Sequence, residues 1–77
     1  MQNRLDQLRN RHNLSQRELA DKVGVTRQTI NAIEGDRYDP SVELVFKLAV
    51  FFECPVENIF KPNVAVETTV NDREENK

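Results

Sequence analysis

Arg27, Gln28 and Asn31 bring a guanidinium and two carboxamides into little more than one helical turn, directly after Thr26. Each group makes paired, directional hydrogen bonds. A guanidinium donates to two acceptors side by side, and a carboxamide offers one donor beside one acceptor. Guanine presents the first complementary pattern in the DNA major groove and adenine the second. Acid–base, nucleophilic and metal chemistry find no comparable constellation. His12 and Cys54 are the sole histidine and cysteine, and there is no Gly-rich phosphate loop. One Cys and one His supply neither a disulfide framework nor a zinc site. No enzyme activity, cofactor, metal or small-molecule ligand is therefore expected.

For these side chains to project together, the segment that carries them must be a helix held from behind. Thr26 is a candidate N-cap, Ile30 and Ile33 form an apolar stripe, and Gly35-Asp36 ends the helix near Glu34. The preceding segment has the same grammar. Ser15 and Glu18 make a capping box, Leu19, Ala20 and Val23 form a stripe, and Gly24 stands where a left-handed residue stops a helix. Two helices crossing closely need a small residue at the crossing, and Ala20 provides it.

The rest of the chain supports that pair. Arg4 to Arg11 is predicted to be a one-faced helix with Leu5 and Leu8 inward, ended at His12-Asn13. Ser41 caps a fourth helix with Leu44, Val45, Leu48, Ala49 and Phe52 on its core side. Pro55 opens a short fifth helix, Val56 to Phe60, anchored by Ile59 and Phe60 and stopped by Pro62. The fold class expected is all-α with five helices, residues 1–61 forming the domain and residues 16–35 its helix-turn-helix. Residues 62–77 form a tail. Val64, Val66 and Val70 predict a short strand over 63–70 that pairs with a second chain or with the N-terminus, followed by a charged end.

The run LSQ…ELA…VGVTRQTINAIE…RYDPS, from Leu14 to Ser41, resembles the lambda-repressor/Cro-type (XRE) helix-turn-helix family, and the likeness extends over residues 3–61. The resemblance implies five helices with the third in the major groove, and homodimers on two-fold symmetric operators. It implies base reading by Arg27, Gln28 and Asn31, and a phosphate contact by Gln16. It also implies an ion pair, Arg9 with Glu34, between the first helix and the recognition helix. Thr26, Arg37, Tyr38 and the helix start at Ser41 are the expected supports and phosphate contacts. One departure stands out. Many members carry Asn-Gly after the glutamate, where this chain has Gly35-Asp36. The asparagine that touches phosphate is missing, and Asp36 and Asp39 add negative charge to the same loop.

Charge shapes the functional expectation. The chain carries 11 basic and 13 acidic residues, yet residues 1–61 hold nine of each, and residues 1–38 are net +2. Affinity for DNA must then come from a few placed contacts instead of a broad positive field. One recognition helix reads only a few base pairs, so selectivity calls for a dimer with two helices about 34 Å apart. The expected dimer surface is Val56, Ile59 and Phe60, extended by Val64 and Val66. The expectation is a sequence-specific transcriptional regulator, a repressor binding double-stranded DNA as a homodimer. The alternatives are an antitoxin that controls its own operon, or an interaction module that has lost DNA binding. A cytoplasmic location is expected: Met1 to Leu14 does not read as a leader, and the run Leu48 to Phe52 is too short to span a membrane.

Overall fold

Serine or threonine starts three of the four helices. The structure, a computed structural model, describes residues 2–61. Along the chain come β1 (Gln2–Asn3), α1 (Leu5–Arg11), α2 (Gln16–Val23), α3 (Arg27–Glu34), α4 (Val42–Phe52), a 3-10 turn (Val56–Asn58) and β2 (Phe60–Lys61). Ser15 Oγ accepts from Glu18 N at 3.0 Å while Glu18 Oε1 accepts from Ser15 N at 2.8 Å, which completes the capping box. Thr26 Oγ1 accepts from Thr29 N at 3.2 Å, and Ser41 Oγ from Leu44 N at 3.1 Å. Each cap satisfies a first-turn amide that has no partner inside the helix.

All four helices end alike. The residue after the helix or one further on is left-handed, and the amide that follows it donates back five residues. Asn13, Gly24, Asp36 and Glu53 take φ of 57°, 76°, 60° and 54°. The closing bonds run from Leu14 N to Arg9 O, Val25 N to Ala20 O, Arg37 N to Ala32 O and Cys54 N to Ala49 O, all between 2.9 and 3.1 Å. Gly24 fills its expected role. Gly35-Asp36 ends α3 as expected; within that pair Gly35 has φ of −83° and Asp36 carries the left-handed turn.

The inward stripes meet in one core of Leu5, Leu19, Ala20, Val23, Ile30, Ile33, Leu44, Leu48, Phe52, Ile59 and Phe60. Burying side chains such as Leu19, Ile30 and Ile33 contributes about 1.5–3 kcal/mol each. Ala20 is buried on α2, which packs against α3, and a small side chain suits a close crossing. The outer face of α4 keeps Val42, Phe46 and Val50 exposed.

The fifth helix is corrected to a 3-10 turn followed by a strand. Pro55 has no amide to donate. Asn58 N bonds Pro55 O at 3.0 Å and Ile59 N bonds Val56 O at 2.9 Å, the three-residue spacing of a 3-10 turn. The chain then extends, because Phe60 pairs with Asn3 and Lys61 with Gln2 in an antiparallel two-stranded sheet. This pairing ties the start of the domain to its end, and Arg4 N donates to Ile59 O at 2.7 Å beside it. The strand expected over 63–70 lies outside the described residues. The expected dimer surface also needs correction. Ile59 and Phe60 are 1% and 2% exposed within the chain, because they fill its core. Val56 is half-buried, and Val64 and Val66 lie outside the described residues.

Candidate nucleic-acid interface

The candidate interface is built on the outward side of α3 and on the residues that flank it. Thr26, Arg27, Gln28 and Asn31 are exposed, whereas Ile30 and Ile33 are buried behind them. Thr26 holds the first turn twice, through the Thr29 amide and through a 3.0 Å contact between the two threonine hydroxyl oxygens. Among the described residues, no hydrogen bond or ion pair engages the side chains of Arg27 and Gln28. Both are presented to solvent on a helix whose back is fixed.

Behind them runs a connected polar chain. Arg9 Nε donates to Glu34 Oε2 at 2.7 Å and Arg9 Nη2 to Glu34 Oε1 at 3.1 Å, a two-pronged pair between α1 and α3. Arg9 Nη1 donates to Leu14 O at 2.8 Å, which fastens the turn before α2. The hydrogen bond to Glu34, opposed by partial burial, holds the Arg9 guanidinium above its ordinary pKa. Gln16 Nε2 donates to Glu34 Oε1 at 3.0 Å, so the first residue of α2 joins the same carboxylate. Asn31 Nδ2 approaches Gln16 Oε1 at 3.5 Å, and Arg37 Nη2 donates to Asn31 Oδ1 at 2.6 Å. Arg9, Glu34, Gln16, Asn31 and Arg37 thus form one relay across α1, α2, α3 and the loop that follows.

Tyr38 and Ser41 come together elsewhere. With Val25, Thr29, Glu43, Leu44 and Lys47 they line a shallow cleft of about 220 Å³ beside the start of α4. Lys47 escaped the sequence reading. It sits 3.5 Å from Glu43 one turn earlier, and both are largely exposed. Asn3 escaped it as well. Its Nδ2 donates to Ile33 O at 2.8 Å near the end of α3, and its Oδ1 accepts from Leu5 N at 3.0 Å at the start of α1. The available signal was an Asn two residues before an apolar helix start, an arrangement in which the side chain bonds the backbone ahead.

Two short helices that pack together, turn at a left-handed Gly24 and leave the second helix with a polar outer face define a helix-turn-helix. Residues 5–59 match the helix-turn-helix family HTH_3. The chain belongs to that family, whose regulators are of the Cro/C1 (XRE) type. An uncharacterised HTH-type transcriptional regulator of Methanocaldococcus jannaschii is 55% identical over 60 residues, covering 78% of this chain and 91% of the relative. The uncharacterised HTH-type transcriptional regulator YgzD of Bacillus subtilis is 43% identical over 60 residues, with coverage of 78% and 91%. A crystal structure of a transcriptional regulator from Listeria innocua superposes with a TM-score of 0.68 at 20% identity, covering 91% of this chain and 71% of that one. At that identity the likeness shows a shared fold.

Proposed function

We propose that the protein is a sequence-specific repressor of transcription that binds a two-fold symmetric operator in duplex DNA as a homodimer. The observation that supports this reading most is the state of Arg27 and Gln28. They stand exposed at the N-terminal end of α3, unengaged by other described side chains, on a helix locked from behind by Thr26 and by Glu34. A polar helix face serving only solvation has no need of such a rigid mount. Gln16 and Arg37 beside Asn31, and Tyr38 and Ser41 at the cleft by α4, supply phosphate contacts, which set the register of the helix while base contacts specify sequence. Repression follows from occupancy of a promoter. Dimerisation doubles the bases read, and a chain with balanced charge needs that gain.

Selection of duplexes from a random pool tests the reading. The expected result is enrichment of one inverted repeat with half-site centres about one helical turn apart. On that duplex Arg27→Ala costs about 1–3 kcal/mol of binding and relaxes the preference at a single base pair. No enrichment of any sequence by the unmodified protein would contradict sequence-specific binding, and an unaltered preference in the variant would remove Arg27 from the readers.

A further inference from the structure

We propose that Asn31 is a positioning residue and not a base reader: across Gly35 it holds Arg37 beside Gln16, so that arginine and glutamine together grip one backbone phosphate of the DNA. The proposal rests on the DNA-binding reading above and revises one residue of it.

The two ends of the Asn31 carboxamide are both directed within the protein. Oδ1 accepts from Arg37 Nη2 at 2.6 Å, and Nδ2 faces Gln16 Oε1 at 3.5 Å. Reading adenine would use that same acceptor–donor edge. Arg27 and Gln28 carry no such engagement among the described residues.

Arg37 occupies an unusual place. At the other three helix ends the residue that donates the closing bond is Leu14, Val25 or Cys54, each partly buried against the core. At the end of α3 that residue is an exposed arginine whose side chain turns back along the helix.

Gly35 makes room for this. Its φ of −83° suits any residue, so the backbone does not require glycine there. A Cβ at position 35 would instead fall on the Arg37 guanidinium, 3.0 Å from Cζ. The arginine fills the space that a side chain at position 35 would claim.

The two side chains that meet Asn31 keep donors unspent. The Gln16 amide spends one N–H on Glu34, and Arg37 spends one of its five on Asn31. Their remaining N–H groups belong to side chains at the two ends of the Asn31 carboxamide, and a phosphate takes such donors from more than one side.

The test measures full-chain binding to the selected duplex, and to its single-base-pair variants, across a series of salt concentrations. Arg37→Ala, Asn31→Ala and Gly35→Ala are compared with the unmodified protein, and melting temperatures are recorded for all. Arg37→Ala and Asn31→Ala are expected to weaken binding about tenfold on every duplex alike. The slope of log affinity against log salt is expected to become shallower by about one unit in Arg37→Ala. Gly35→Ala is expected to keep its melting temperature and still show the same uniform loss. Asn31→Ala altering preference at one base pair would overturn the assignment. So would a salt slope unchanged in Arg37→Ala, or Gly35→Ala binding as the unmodified protein does. If the unmodified protein bound no duplex, the DNA-binding reading would fall together with the bracket. A failure of the bracket alone shows against intact parental binding.

Discussion

Arg9 reaches Glu34 over a separation of 25 residues, and the side chains of the pair are 14% and 9% exposed. That places the pair close to the buried case. Removing one member leaves the other charge poorly hydrated, which costs about 3–5 kcal/mol in buried pairs, whereas exposed pairs contribute at most about 1. Gln16 stays behind on Glu34, so the lower edge applies. Arg9→Ala is expected to cost about 3 kcal/mol, and in a domain this small each kcal/mol shifts Tm by about 4–8 °C. Arg9→Lys keeps the charge, loses the fork and the Leu14 carbonyl, and is expected to fall between. Thermal unfolding followed by circular dichroism decides the matter, and an Arg9→Ala cost below about 1 kcal/mol would mean that the pair behaves as an exposed one. The sequence alone left Arg9 and Glu34 as two charges on separate helices. Only the family resemblance paired them, because nothing in local spacing encodes a contact between α1 and α3. Arg27 and Gln28 were legible from spacing, since they need only lie off the Ile30–Ile33 stripe. The engagement of Asn31 was not legible, because it depends on a loop arginine folding back.

Helix beginnings and most helix ends could be read, through different signals. Ser15, Thr26 and Ser41 act through their own side chains on amides three residues ahead, so residue type and spacing reveal them. The ends depend on which residue turns left-handed, and three of those four are Asn13, Asp36 and Glu53, which carry a Cβ. The stops at His12-Asn13 and Gly35-Asp36 were legible because Asn and Asp tolerate that conformation, whereas Glu53 carried no such signal. The 3-10 turn and the two strands of two residues each were equally hidden, being too short to show any periodicity. Two tests belong at this scale. Glu53 takes φ of +54°, a conformation that burdens a side-chain-bearing residue by about 1–2 kcal/mol. Glu53→Gly relieves that strain against some added freedom in the unfolded chain, and a net gain of about 1 kcal/mol is expected in denaturant unfolding. A loss would show that the Glu53 side chain stabilises the turn by more than its backbone strain. The second test is acidification. The Ser15 amide, then the Ser15 hydroxyl, holds the Glu18 carboxyl below its ordinary value of 4.5. A depressed native pKa means that the stabilisation is complete above about pH 4.5 and is lost as pH falls through the native value. Glu18→Gln retains a capping acceptor without the titration, so its Tm is expected to fall less steeply with pH in that window. Parallel Tm profiles for the two proteins would refute the linkage.

For the whole molecule the unresolved demand is the second copy. Residues 1–61 balance nine basic against nine acidic side chains, so the proposed function gains no broad positive field, and on that proposal one α3 covers too short a sequence for a unique address. With Ile59 and Phe60 committed to the core and to the β1–β2 closure, the dimer contact proposed from the sequence narrows to Val56 and the segment after Lys61. Deleting residues 62–77 leaves every described element in place and is expected to shift the protein toward monomer in sedimentation velocity. The half-site arithmetic then predicts a second consequence. The truncated protein should lose most of its preference for the inverted repeat over a single half-site while keeping its base preference within the half-site. Phe46→Lys serves as the comparison, because Phe46 is 59% exposed on α4 and remote in sequence from the tail. If the dimer uses Val56 and the tail, Phe46→Lys sediments as the unmodified protein does. If Phe46→Lys dissociates the dimer while the truncation does not, the contact lies on the Val42–Phe46–Val50 face of α4, and the assignment to the tail is wrong.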